Sequence, residues 1–80
     1  MKQEEEQLAK KVYRKLLYFF ENEIPIHFRL KYGDAWKNGI IEDLDGNNLS
    51  FVLKEFVEGD LPFLCEEIDF NSIAMYRNKT

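Results

Sequence analysis

The chain reads as a mainly β domain: one N-terminal α-helix, then five short antiparallel strands in a sheet bent strongly enough to close into a small barrel. Three observations predict this. Apolar residues recur every three or four positions as far as Asn22 and every second position from Ile24 onward, so the period changes from helix to strand at one point. Clusters of Gly, Asn, Asp and Pro then divide the remainder into runs of strand length. With 80 residues, 45% hydrophobic and 15% aromatic, there is apolar material for one core and no room for a second.

Between about Gln3 and Asn22, residues Leu8, Ala9, Val12, Tyr13, Leu16, Leu17 and Phe20 fall on one side of a helix. Glu4, Glu5 and Glu6 suit the positive end of its dipole, and Asn22 and Pro25 supply a cap and a stop. Lys10, Lys11, Arg14, Lys15 and Tyr18 are predicted to project from the opposite side. That makes a basic face in a chain of net charge -4. Ile26, Phe28, Leu30 and Tyr32 then alternate with His27, Arg29 and Lys31 as a half-buried first strand, turned by Gly33 and Asp34. A second strand, Trp36 to Leu44, carries Gly39 in its interior, where a bulge or bend lets the sheet curl. Asp45, Gly46, Asn47 and Asn48 form a turn into a third strand, Leu49 to Val57. Glu58, Gly59, Asp60 and Pro62 mark the next turn. A fourth strand near Phe63 to Asp69, a 3₁₀ turn at Phe70 to Ser72 and a last strand Ile73 to Arg77 complete the order. The expected organisation is a single domain over 1–80, with helix 1–23, barrel 24–77 and a frayed tail 78–80.

Charge and chemistry narrow the function. A net charge of -4 disfavours a general grip on nucleic-acid phosphates, which rests on counterion release by Lys and Arg. The whole excess arises after residue 23, because residues 1–23 carry five cations and five acids while 24–80 carry six and ten. The single cysteine, Cys65, excludes an intramolecular disulfide framework and points to a reducing, cytoplasmic setting. No signal-like or membrane-spanning apolar run is present, so no membrane partner is expected. His27, the only histidine, has no nucleophile or carboxylate at identifiable spacing, and Cys65 has acidic neighbours that would raise its pKa. No enzymatic activity, metal or cofactor is expected. Trp36 and Phe70 are the aromatics most readily exposed, one beside a turn and one within a loop, against the alternative of core or interface packing for both.

The order of elements suits an SH3-type barrel, and particular residues resemble the Sm-like (LSm) family over about Ile24 to Tyr76. In KYGDAWKNGIIEDLDGNNLSF, Gly33, Gly39, Asn48 and Leu49 look like the glycines and the Asn-Leu pair of the family's first motif. In EEIDFNSIAMY, Ile68, Asn71 and Ile73 look like its second. The sequence also departs from the family. Leu44 stands where an Asp is usual, with Asp45 one place late, and Asp69 and Phe70 stand where the family has Arg-Gly. An Asp in place of the Arg reverses the attraction for phosphate and offers no guanidinium plane for a base.

The resemblance implies a homo-oligomeric ring, made by pairing the fourth strand of one subunit with the fifth of the next, and weak binding of single-stranded RNA. The RNA would meet Asn48, Phe70 and Asn71 in the loops, with Lys10, Lys11, Arg14 and Lys15 as the available cations. The alternative is a protein-interaction or structural adaptor that kept the barrel and lost the nucleotide pocket. Asp69, Phe70 and the acidic barrel favour it.

Overall fold

In the computed structural model, which describes residues 2–77, α1 spans Lys2–Glu21. It ends because Glu23 turns into the left-handed region, at φ 54°. The Ile24 N–H then bonds to the Phe19 carbonyl and the Glu23 N–H to the Phe20 carbonyl. This is a Schellman closure that satisfies two of the last carbonyls, and Pro25 follows it. The Asn22 side chain caps the Tyr18 carbonyl at 2.8 Å.

Five strands follow: β1 Ile26–Arg29, β2 Trp36–Asp45, β3 Ser50–Glu55, β4 Gly59–Leu64 and β5 Ala74–Met75. They form one antiparallel sheet in the order β4-β3-β2-β1-β5. The inner face carries Ile26, Phe28, Ile41, Phe51, Leu53 and Phe63, and the helix covers it with Ala9, Val12 and Leu16. Phe28, Phe51 and Phe63 form a ring trio with centroids 5.3–5.7 Å apart, two of the three contacts edge to face. The helix stripe is centred on Ala9, Val12 and Leu16, and Leu17 and Phe20 are only half-buried.

The sheet does not close into a barrel. β4 and β5 are its two edges, and no ladder joins them. A lone bridge, Leu30 to Ile68, ties the continuation of β1 to the segment after β4. Gly39 is not itself the bulge. The register shift falls between Ile41 and Asp43, while Gly39 is where β2 and β3 approach so closely that a Cβ would run into the Lys54 carbonyl.

The fourth strand starts four residues earlier than the sequence suggested. Gly59, at φ 84°, ends the preceding turn and opens β4. Pro62 lies inside the strand opposite Val52. The bond from the Cys65 N–H to the Leu49 carbonyl makes 49 and 65 a hydrogen-bonded pair, so by alternation the 52 and 62 pair is not one. The Pro62 nitrogen therefore faces away from β3, where a missing N–H breaks no ladder bond. Cys65–Glu67 is a 3₁₀ turn rather than strand, a second 3₁₀ turn spans Phe70–Ser72, and β5 is two residues long instead of five. The tail expected at 78–80 lies outside the described residues. No described helix is long and apolar enough to cross a membrane.

Candidate functional site

The seven residues singled out from the sequence do not converge. Lys10, Lys11 and Arg14 are exposed on α1 and make no ion pair among the described residues. Lys15 departs from them: it is half-buried, with its ammonium 4.8 Å above the centre of the Phe70 ring. At 100° per residue it sits nearer the apolar stripe than Arg14 does, so its stem crosses the helix shoulder toward the second 3₁₀ turn. Phe70 is accordingly half-buried and packed against the core, not an exposed loop aromatic.

Asn48 is exposed, but its amide is occupied. Its Nδ2 donates to Asp45 Oδ2 at 2.7 Å, while the backbone N–H groups of Asn47 and Asn48 donate to Asp45 Oδ1. These bonds, the Asn48 side chain foremost, hold the Asp45 carboxyl below its ordinary range. Asn71 is exposed and its N–H caps onto Asp69 Oδ1 at 3.1 Å. Asp69 also accepts from the Arg29 guanidinium at 3.2 Å, and Ser72 closes the knot by accepting the Arg29 N–H and donating to the Asp69 carbonyl. Asp69, which stands where the resembled family has an arginine, is thus a turn brace. The groove that Asn48 lines does not reach Phe70 or Asn71, which line a separate cleft.

One cluster escaped the sequence reading. On the outer face of the sheet the His27 ring lies 4.9 Å from the Trp36 ring, and the Arg29 guanidinium lies 5.8 Å from it on the paired strand. Trp36 is exposed as expected. The alternation of His27, Arg29 and Lys31 opposite Phe28 and Leu30 was the signal. What it lacked was the register that sets Trp36 across from Arg29.

Two buried titratable side chains have structural surroundings. Cys65 is buried, and burial pushes its thiol up to about 11, so at neutral pH it is a protonated core side chain rather than a nucleophile. Glu55, a buried acid, is a structural group. Its carboxylate accepts the N–H groups of Glu58, Val57 and Asn38 at 2.7–3.2 Å and is held below the ordinary range by them. Among the described residues no three His, Cys, Asp or Glu side chains gather as a metal site.

The largest groove, about 410 Å³, runs along α1 between Glu5, Glu6 and Ala9 on one wall and Leu49, Leu64 and Glu66 on the other. A smaller cleft of about 160 Å³ lies on the other flank of the helix, between Leu8 and Val12 and the segment Ile68 to Asn71. No protein-family model, no curated protein and no solved structure matches this chain.

Proposed function

We propose that the chain is a non-catalytic, self-assembling binding module built on the Sm-like, SH3-type plan. One observation carries the reading: the order β4-β3-β2-β1-β5 leaves β4 and β5 as uncovered edges of a bent sheet. Members of the family it resembles pair a fourth strand with a neighbour's fifth at such edges, and uncovered edges carry unpaired backbone donors and acceptors. Pro62 removes one donor from the β4 edge, so its outward carbonyl has no N–H of the same residue beside it. Side chains must therefore supply part of the contact. Light scattering at concentrations on the order of tens of micromolar tests the reading. The expected mass is a multiple of the chain mass, and a monomer overturns it. A reducing, cytoplasmic setting belongs to the same reading, since Cys65 is free and buried.

Single-stranded RNA is the ligand favoured by the three exposed cations Lys10, Lys11 and Arg14. Affinity for a short oligomer then falls by about 0.7 log units per phosphate contact for each log unit of salt, and neutralising Lys11 and Arg14 flattens that slope. The adaptor reading is favoured by a different observation: Asn48 and Phe70 are engaged within the fold, by Asp45 and by Lys15. If short RNA does not bind even at low salt, RNA is excluded and the module's ligand is a protein.

A further inference from the structure

We propose that the two flanks of α1 are complementary docking surfaces, and that a second copy of this chain sets its basic flank into the first copy's acidic groove, head to tail. The proposal rests on the self-assembly reading and names its contact. One flank faces the β2–β3 turn, because Tyr13 lies there against Gly46, where an added Cβ would sit 2.8 Å from its hydroxyl. Along this flank runs the 410 Å³ groove, floored by Ala9, Leu49 and Leu64 and rimmed by Glu5, Glu6 and Glu66. A second groove of about 280 Å³ continues past Leu64 to Glu67, where Lys31 is the one cation on a wall otherwise charged by Glu5, Glu66 and Glu67. None of these four glutamates takes part in an ion pair among the described residues. Leu64 ends the edge strand β4 with 43% of its surface exposed.

The other flank has the opposite sign. Leu8 and Lys15 face the second 3₁₀ turn, Leu8 lining its cleft and Lys15 lying over Phe70. Lys11 is exposed between them on the helix, and Arg14 is exposed just beyond. Glu4 opens this flank, so its cationic stretch begins at Lys11. The 3₁₀ turn leads directly into β5. The acidic groove therefore adjoins the β4 edge and the basic flank adjoins the β5 edge.

A two-fold contact centred on either flank would set like charge against like. The two flanks pair when copies follow one another in the same sense, the heterologous contact that closes into a ring or runs on as a filament. The same approach brings a β4 edge toward a neighbour's β5 edge, and Leu8, 42% exposed, toward an apolar floor. A second copy is favoured over another partner because the charge the groove requires is carried by this chain, beside the matching sheet edge. Such contacts between exposed charges weaken as salt shortens the range of attraction.

Charge reversal tests this by sedimentation velocity at low salt. One variant combines Lys11→Glu with Arg14→Glu, the other Glu66→Lys with Glu67→Lys; all four side chains are exposed and make no described hydrogen bond or ion pair. Each variant alone is expected to lose the assembled species while keeping the wild-type thermal midpoint. Mixed together, they should co-assemble into alternating heteromers, since the intact groove meets the intact flank at one contact and the reversed groove meets the reversed flank at the other. Placing all four changes in one chain should restore assembly. The proposal is overturned if either variant keeps the wild-type mass, or if the mixture stays monomeric. A wild-type monomer removes the self-assembly reading along with it, whereas assembly indifferent to the reversals removes this contact alone and leaves edge pairing.

Discussion

The inner face of the sheet and its rim obey different rules. Between α1 and the inner face, Leu16, Ile26, Phe28, Leu53 and Ile68 are fully buried in one apolar cluster. Burial there is non-directional and sums over area, so the face is set by size and hydrophobicity. At the rim, order comes from a few directed bonds: Asp45 bracing one turn, Glu55 the next, and Asp69 with Arg29 and Ser72 the last. Beyond those braces the rim is open, with two uncovered strands and two oppositely charged helix flanks. The core makes the domain, and the rim keeps its exposed charge and unpaired backbone.

Breaking the inner face should have the largest effect. Leu16→Ala removes a side chain with no exposed surface from the centre of the helix–sheet contact, and should cost about 3 kcal/mol in chemical denaturation. Gly39→Ala should cost roughly 2 kcal/mol, because the methyl meets backbone rather than a movable side chain and β2 must part from β3. Amide exchange localises that loss to the two strands.

The rim braces come next. Glu55→Gln should cost on the order of 1 kcal/mol, since its one amide oxygen can keep the Val57 and Glu58 N–H groups while its NH2, a donor, leaves the Asn38 N–H without an acceptor. The same carboxylate predicts a pH dependence. Its pKa is lower in the folded state than its ordinary 4.5, so its stabilisation is complete above that value and is lost as pH falls through the folded pKa. The glutamine variant should show a shallower acid limb, and an unchanged limb would mean that Glu55 does not brace the turn. Smallest is Pro62→Ala, which returns a donor to the outward side of β4. Stability should stay within about 0.5 kcal/mol, while self-association strengthens in sedimentation experiments.

The same contrast explains what could be read in advance. Periodicity reports burial, so the helix, β2 and β3 emerged from sequence within one or two residues of their observed spans. The rim depends on register and on which way a backbone group points, and neither is written in a period. Gly59 and Pro62 looked like breakers of the fourth strand; one ends the turn before β4, and the other is harmless because its nitrogen faces outward. The 3₁₀ turn at Cys65–Glu67 lies between the apolar pair Phe63 and Leu64 on one side and Ile68 on the other, and β5 lies beside Ile73, so the flanking apolar residues read as longer strands. For the candidate site, the exposed cations Lys10, Lys11 and Arg14 followed from the helical angle alone. The capture of Lys15 by Phe70, of Asn48 by Asp45 and of Asp69 by Arg29 required tertiary neighbours. The acidic groove joins Glu5 and Glu6 to Glu66, sixty residues later in the chain, and only the docking of α1 creates it.

The most direct measurement of the rim as the working surface is amide hydrogen exchange compared between dilute and concentrated protein at low salt. If copies associate through the edges and helix flanks, the outward N–H groups of Asp60, Leu64 and Met75 slow markedly on concentration, while inner-face amides such as those of Phe28 and Leu53 exchange at the same rate in both samples. Equal exchange at Asp60, Leu64 and Met75 in the two samples would contradict the account, leaving those edges solvated at every concentration tried.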